Sequence, residues 1–267
     1  MQDFKYSTTK ELLINTPLPE TTRTYKAVSH EQLMDLTLEG IHQAGFVLDK
    51  ELYSAASDGQ VANGRFSISN LADTEMQLQI IWQNSYDKTL PLKFSIGAMV
   101  LVCTNGMVSF RAMNAFRKKH VGEIQTMAPN RIDEYIKQAG EIFTALQYDR
   151  DQMKQVEIDK RVTAELIGRM FIEEQFIEST QLNIVKRELN KPTHNYNASG
   201  SLWELYNYTT FAIGGIRPNR WMEDHMAAHK FFTEAYELIT TPKPLITIPI
   251  NAVPTEDPRV KQLLLFD

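Results

Sequence analysis

The 267-residue chain has a single cysteine and no long apolar run. One thiol, Cys103, excludes an intrachain disulfide and suits a reducing compartment. No apolar stretch approaches the ~20 residues that a membrane-spanning helix needs. The first residues also lack the basic-then-apolar order of a signal peptide. We therefore expect a cytoplasmic protein.

The chain also lacks recognisable motifs for nucleotide binding or catalysis. Gly214-Gly215 is its one paired glycine, and it has neither the lysine of a P-loop nor the spaced glycines of a dinucleotide fingerprint. It therefore indicates a helix break rather than a phosphate cradle. Cys103 follows a predicted strand with no readable base beside it, which favours a packed thiol over a nucleophile. We expect no cofactor, and a binding protein rather than an enzyme.

A strong positive charge is missing as well. The 28 basic and 33 acidic residues give a formal net charge of -5, so any surface for nucleic acid must be local. The hydrophobic content of 43% is enough for a sizeable core. We expect one elaborated domain at 29–240, an N-terminal arm at 1–28 and a tail at 241–267.

The first part of the domain predicts one helix followed by an antiparallel sheet of about five strands at 46–112. Ser29 and Gln32 form a capping box at the helix start, and Gly45 is placed to end the helix. Two strands at 46–53 and 64–70 flank a turn that contains Asp58-Gly59. From Met76 apolar residues alternate with glutamines, which predicts a half-buried strand with one face exposed to solvent by Gln77, Gln79 and Gln83.

Residues 92–103 are almost entirely apolar and predict a strand covered on both faces. Asn105-Gly106 follows, and then a second run at 107–111. An Asn-Gly pair between two such runs predicts a hairpin whose two turn residues take positive φ.

After Ala112 the pattern predicts helices at 113–240, so the fold class is α+β with a helical C-terminal half. The first clear helix start is Asn130 with Asp133, and a second helical stretch covers 155–190. Ser201 with Glu204 forms another capping box, and a last helix runs over 221–239. The tail at 241–267 holds five prolines and predicts a flexible, extended tether.

The sharpest pattern lies at the end of this tail, in Gln262-Leu263-Leu264-Leu265-Phe266. It resembles the sliding-clamp-binding motif of bacterial replication and repair proteins. In an extended peptide, the Gln262 amide can meet backbone groups at one pocket while Leu265 and Phe266 fill an apolar one and Leu263 covers the path between them. The alternative is a terminal apolar strand that folds back on the core. We expect the bacterial sliding clamp as a partner.

Four further segments are specific when taken together: Tyr25-Lys26-x-Val28-x-His30, Asn84-Ser85-Tyr86-Asp87-Lys88, Gly97-x-x-Val100-x-Val102-Cys103-Thr104-Asn105-Gly106 and Ser201-Leu202-Trp203-x-Leu205-Tyr206-Asn207. In these segments the chain resembles the phage/plasmid-like protein family known as domain of unknown function 932. The resemblance implies residence on a phage, prophage or plasmid, and hence in a bacterial host cell. It implies no catalytic residues.

The order of elements, one helix, an antiparallel meander and then a basic helix, is similar to that of the single-strand annealing proteins of the Rad fifty-two-like superfamily. Those proteins form rings that hold single strands in a basic groove, so the similarity implies a homo-oligomer. Only the element order supports it, without a sequence motif.

The densest basic stretch covers residues 110–120, where two aromatic rings lie beside four cations and a histidine. Such a stretch can contact phosphates and stack on bases, as sequence-tolerant binding of single strands requires. The alternative is a solvated helix start whose rings pack inward. Arg65, on a neighbouring strand, could extend the patch. The predicted nucleic-acid-binding residues are Lys93, Arg111, Phe116, Arg117, Lys118, Lys119 and His120.

Two weaker candidates have ordinary structural explanations. His225 and His229 lie four apart on a predicted helix, but a metal site there would need a third ligand from elsewhere, and the usual glutamate after the first histidine is replaced by Met226. The segment at 84–87 could form a polar ligand site, although turn chemistry accounts for its residue types. We predict no metal.

Two functional hypotheses from different classes follow from the sequence. The first is a phage or plasmid DNA-metabolism protein that binds single-stranded DNA, is recruited by the sliding clamp and acts in annealing or recombination. The second is a host-takeover or counter-defence protein that acts by binding host proteins. Reversing the charges of Arg117 and Lys118 distinguishes them, because only the first hypothesis needs the basic stretch.

Overall fold

The computed structural model describes residues 6–109 and 117–241. In these two ranges the chain forms eight α-helices, one π-helical turn and one antiparallel sheet. The sheet has five strands of four residues or more and two strands of two residues. The predicted α+β class, with an antiparallel sheet flanked by helices and a helical C-terminal half, is therefore confirmed. The tail beyond residue 241 lies outside the described residues.

The elements follow one another along the chain with short connections. The strands are β1 (Ser7–Thr8), β2 (Leu48–Ala56), β3 (Val61–Ala72), β4 (Met76–Ser85), β5 (Leu92–Val100), β6 (Asn105–Val108) and β7 (Arg117–Lys118). The helices are α1 (Lys10–Asn15), α2 (His30–Gln43), α3 (Ile124–Lys137), α4 (Ala139–Gln155), α5 (Lys160–Gly168), α6 (Ser179–Asn190), α7 (Leu202–Ile213) and α8 (Pro218–Thr240), with a π-helical turn at Arg169–Glu173.

The strands pair in the order β1-β2-β3-β4-β5-β6, and β7 joins the free part of the β5 edge. β6 pairs with the end of β5, from Gly97 to Val100, whereas β7 pairs with its start at Leu92 and Lys93. Both short strands therefore share one edge of β5. Residues 6–28, predicted as an arm, lie on the domain, since β1 pairs with β2 and Leu13 of α1 is buried.

Helices cover both faces of the sheet, so the prediction of one solvent-exposed face is wrong. Every residue of β4 is buried, including Gln77, Gln79 and Gln83. The apolar face packs into the main core with α2, α3 and α4. At Gln83 the glutamine face is covered by the first turns of α8, and the Gln83 amide donates a hydrogen bond to the Pro218 carbonyl at 2.6 Å. The alternation did mark a polar face, but not its burial.

The hairpin of β5 and β6 is confirmed, but its turn is not the Asn-Gly pair. Residues 101–104 form the turn and Thr104 takes the positive φ of 58°, while Asn105 and Gly106 already pair with β5. Packing explains the pair instead. A Cβ on Gly106 would lie 2.6 Å from Trp221 Cζ2 of α8, and the Asn105 amide donates to the Asn207 carbonyl of α7.

The predicted helix caps at Ser29 and Ser201 are confirmed, whereas the predicted bounds of the longer helical stretches are wrong. The Ser29 and Ser201 hydroxyls accept the predicted N-cap hydrogen bonds, and Gly45 takes a φ of 71° after α2. The region after Ala112 is not helical throughout, because residues 117–118 form β7. The first helix there begins at Ile124 rather than Asn130, since buried Ile124 and Ala128 anchor the turns before Pro129. The stretch at 155–190 divides into α5, the π-helical turn and α6.

Candidate nucleic-acid interface

Two segments far apart in sequence, residues 25–30 and 84–88, form one hydrogen-bonded unit. The Tyr86 hydroxyl accepts a hydrogen bond from the His30 backbone N–H at 2.7 Å. The Asn84 amide donates to the Val28 carbonyl at 2.9 Å. The Tyr25 hydroxyl reaches the carbonyls of Ser85 and Tyr86 at 3.4 Å. The family-like segments at these positions therefore build a common site at the end of the sheet where β4 finishes and β5 begins.

His30 is the centre of this unit and is fully buried. Its ring stacks on the Tyr86 ring, with centroids 4.0 Å apart and planes 10° apart. Burial lowers the His30 pKa to about 4, so the imidazole is neutral at physiological pH. Nε2–H then donates to the Gly59 carbonyl at 2.9 Å, and Nδ1 accepts from the Asn84 amide at 3.1 Å.

These contacts hold the turn between β2 and β3 in a strained conformation. Ser57, Asp58 and Gly59 take φ values of 52°, 52° and 88°. Non-glycine residues in this region cost of order 1–3 kcal/mol each and persist where the surroundings fix them. The hydrogen bond from His30 to Gly59 supplies one such restraint, so the unit positions the turn as well as the two segments.

β7 brings the predicted basic stretch to the same end of the sheet. Its residue Lys118 pairs with Leu92 at the start of β5. The Lys26 backbone N–H donates to the His120 carbonyl at 2.8 Å, and the His120 ring lies 5.5 Å from the Tyr25 ring. Residues 117–120 are thereby fixed against residues 25 and 26.

The result is a cationic surface, which we call the basic end and define as residues 23–26, 86–88 and 117–120. Arg23, Lys88, Arg117 and Lys119 are exposed, and Lys26 and Lys118 are partly exposed. Lys88 Nζ lies 4.8 Å from the centroid of the Tyr25 ring, close enough for a cation–π contact. Asp87 is the acidic residue within these three segments. The chain's net negative charge is therefore locally reversed.

The tyrosines support this surface from beneath rather than projecting from it. Tyr25 is 8% exposed and Tyr86 is 3% exposed. Burial raises the pKa of both phenols, to about 12 for Tyr86, and the nearby Asp87 carboxylate adds to the effect at Tyr25. Both phenols are neutral and act as hydrogen-bonding supports that restrict where the cations can lie.

Other predicted binding residues are placed differently. Lys93 is buried, with its ammonium 2.5 Å from Glu223 Oε1 and 2.9 Å from Gln83 Oε1, and burial lowers its pKa. Arg65 is buried beneath Trp221, with Cζ 4.8 Å from the ring centroid. Neither extends the exposed patch. The imidazole of His120 is 3% exposed and burial lowers its pKa.

The remaining predicted residues lie where the structure describes nothing. Arg111 and Phe116 belong to residues 110–116, outside the described ranges. The predicted clamp-binding residues lie beyond residue 241, again outside those ranges: Gln262, Leu263, Leu265 and Phe266.

The histidine pair and Cys103 all lie buried among packed side chains. His225 and His229 are both fully buried in α8, where His225 Nδ1 bonds the Trp221 carbonyl and His229 Nε2 lies 3.3 Å from an Asp149 carboxylate oxygen. Residues 6–109 and 117–241 contain no group of three or more metal-ligating side chains arranged around a common point. Cys103 is buried, which raises its pKa to about 11, so the thiol stays protonated near neutral pH.

The basic end includes four residues that no sequence pattern assigned to it: Arg23, Tyr25, Lys26 and Lys88. Tyr25, Lys26 and Lys88 are in segments that resemble a family, but nothing in their spacing relates them to residues 117–120. That relation is created by tertiary structure, through the pairing of β7 with β5. The available signal was the presence of isolated cations in two otherwise non-repetitive loops.

The fold and the basic end define a class of protein: an α+β domain whose antiparallel sheet is enclosed by helices and ends in a cationic surface. The chain belongs to the family described as domain of unknown function (DUF932), whose model matches residues 18–228. No curated protein and no solved structure matches the chain. The matched range includes the whole basic end. No helix in the described parts of the chain combines the length and apolar character needed to cross a membrane.

Proposed function

We propose that this protein binds single-stranded DNA through the basic end, as a non-enzymatic factor in phage or plasmid DNA metabolism. The observation that carries the proposal is the convergence of three segments, which places six cations at one end of the sheet in a chain with net charge -5. Clustered lysines and arginines bind phosphates and release counterions, largely independently of base sequence. This surface accordingly suits a factor that contacts many sequences, as annealing or recombination requires.

The supporting unit beneath the surface adds to this argument. Cations on unrestrained loops would lose side-chain and backbone freedom on binding. Here the loops are fixed by the hydrogen bonds between His30 and Tyr86 and between Lys26 and His120. A pre-organised cationic surface therefore binds a phosphate backbone at a lower entropic cost than a basic tail would.

A second part of the proposal is recruitment through the tail. Gln262, Leu263, Leu265 and Phe266 have the residue types and order of a bacterial clamp-binding peptide. We propose that they bind the host's sliding clamp and place the basic end near exposed single strands in the bacterial cytoplasm. Surface plasmon resonance of the full chain over immobilised clamp, with and without L265A/F266A, tests this part.

Charge reversal at the basic end tests the first part. The variant R117E/K119E changes two exposed cations, and K186E/K191E makes the same charge change at two exposed positions on and beside α6. We expect R117E/K119E to weaken binding of a fluorescent oligodeoxythymidylate at least tenfold and to reduce the slope of log affinity against log salt. The control pair should change both quantities much less.

The same experiment separates the two functional hypotheses. Binding that is absent, insensitive to salt, or equally weakened by both pairs would contradict single-strand binding at the basic end. A host-takeover protein that acts through protein partners would retain its biological effect in the R117E/K119E variant. Duplex DNA of the same length, measured in parallel, shows whether the single strand is preferred.

A further inference from the structure

The sheet face beneath the start of α8 is polar, although it is buried. On β3, β4 and β5 eight of its side chains carry hydrogen-bonding groups and are at most 6% exposed: Asn63, Arg65, Ser67, Gln77, Gln79, Gln83, Lys93 and Ser95. Ile81 on the same face is apolar and packs against Trp221 and Met222 of α8. We call these eight residues the polar face. Interiors ordinarily exclude such groups, and burying them lowers stability unless each is hydrogen-bonded.

The first turns of α8 cover part of the polar face with two side chains that resemble the phosphate and the base of a nucleotide. The Glu223 carboxylate binds the Lys93 ammonium at 2.5 Å, in the manner of a phosphate. The Trp221 ring lies over the Arg65 guanidinium at 4.8 Å, in the manner of a base. Burial lowers the pKa of Arg65 to about 10, which shows how far this cation has been removed from solvent.

Two hydrogen-bond acceptors of the polar face have no partner among the described residues. They are Asn63 Oδ1 and Gln79 Oε1. Acceptors of this kind pair with N–H donors, which the edges of unpaired bases supply.

The polar face is continuous with the basic end. Arg117 pairs with Lys93, Lys93 with Gln83, Gln83 with Asn63, so their side chains form one row across four strands on the same face. Arg117 at the start of this row is exposed, and the next three residues are buried beneath α8. A strand bound at Arg117 therefore has a polar path onto the covered face.

The covering half of α8 starts without a side-chain cap. Arg217 at its N-cap makes no side-chain capping bond, and no acidic residue lies in the first turn. The turns that follow are held by ion pairs of Arg220 with Glu178 and Asp224, and by a small cluster of Trp221 and Met222 with Ile81 and Val108. The second half is anchored in the larger main core by Ala228, Phe231, Phe232 and Ala235. The covering half thus packs on the sheet through a separate and smaller cluster.

We propose that the polar face is a second binding surface for single-stranded nucleic acid, covered in this state by residues 218–226 of α8 and exposed when these turns are released. Phosphates replace Glu223 at Lys93, and unpaired bases replace Trp221 over Arg65 and meet the free acceptors. The inference rests on the proposed function, because the basic end supplies the first contact with the strand. α8 thereby limits binding until a strand is already held at Arg117.

Hydrogen–deuterium exchange of the full chain tests the release directly. The probe is an oligodeoxythymidylate of about 30 nucleotides, at a concentration that saturates the protein. We expect amides of residues 218–226 to exchange at least several-fold faster with DNA bound, while those of 228–236 are unchanged. Unchanged or slower exchange at 218–226 with DNA demonstrably bound would overturn this inference and leave the proposed function intact. Absence of DNA binding would overturn both.

Substitution of Glu223 gives an independent measurement. E223Q keeps the shape of the side chain and weakens its hold on Lys93, and E234Q makes the same charge change at an exposed glutamate of the same helix that pairs with Lys230. We expect E223Q to raise affinity for the oligonucleotide about two- to fivefold more than E234Q does. Equal effects of the two variants would show that Glu223 does not restrain the cover.

Discussion

A single buried imidazole links α2 to two neighbouring loops beneath the basic end. His30 accepts from Asn84, donates to Gly59 and stacks on Tyr86, and the hydrogen bond from Asn84 requires a neutral ring in its present orientation. Protonation would place a charge in a fully buried position and turn the acceptor at Nδ1 into a donor facing another donor. The site's geometry therefore depends on the protonation state of one residue that never reaches the surface.

At the residue scale we predict that His30 makes the fold sensitive to acid. The folded-state pKa of His30 is lowered to about 4, so between pH 6.5 and 4 the unfolded chain binds a proton that the folded chain excludes. The contribution of the neutral His30 ring to the free energy of unfolding is fully present above pH 6.5. It falls by roughly 3 kcal/mol as the pH drops through this range. H30Q should be less stable at pH 7 but lose less on acidification, as measured by urea unfolding at several pH values.

A steeper acid dependence in H30Q than in the wild type would contradict that assignment. The comparison of the two proteins at each pH removes contributions from other groups. Those include His225, whose pKa is also lowered by burial, and Asp224, whose pKa burial raises to about 6.

At the scale of elements, the contact of β6 with α8 explains why Asn105-Gly106, a pair typical of turns, lies within a strand here. Gly106 lies in the ladder with no room for a side chain, because Trp221 Cζ2 would be 2.6 Å from its Cβ. G106A should lower the free energy of unfolding by about 1–3 kcal/mol, since the rigid indole must shift. G215A, at an exposed glycine with nothing within 4 Å of a Cβ, should change it by no more than about 0.5 kcal/mol. Thermal and urea unfolding measure both, and a neutral G106A would show that α8 can move without loss.

Elements defined by local signals could be predicted, whereas those defined by distant partners could not. Ser29 and Ser201 cap helices through residues three positions away, so the sequence contains the whole interaction. The burial of Gln83 in β4 depends on α8, which begins more than 130 residues later. The two residues of β7 carry no pattern of their own and become a strand only by pairing with β5. The same reason explains why only part of the basic end could be predicted. The cations at 117–120 are visible as a run in the sequence, whereas their approach to residues 23–26 and 86–88 depends on tertiary structure.

At the scale of the whole molecule, the proposed clamp peptide and the basic end are two weak sites on one chain. Burial of Leu263, Leu265 and Phe266 is worth roughly 4.5–9 kcal/mol gross. The proline-rich composition predicts an unordered tail, whose ordering takes back about 2–5 kcal/mol, so we expect the tail alone to bind the clamp near or above micromolar. A surface of six cations is likewise weak at physiological salt. Neither site alone would hold the protein at a replication fork.

Joint engagement should therefore exceed either site, because a tethered second site binds at a high effective concentration. On primed single-stranded DNA carrying a loaded clamp, we expect the wild type to bind at least a hundredfold more tightly than on DNA or clamp alone. L265A/F266A should lose this gain in affinity and keep the affinity for bare single strands. R117E/K119E should lose the gain and keep the affinity for the clamp. V253A, which lies in the tail outside the motif, should behave as the wild type. Fluorescence anisotropy on the three substrates measures each case. If L265A/F266A retains the full gain, the clamp does not bind these residues; if both site variants retain it, the two surfaces do not act together.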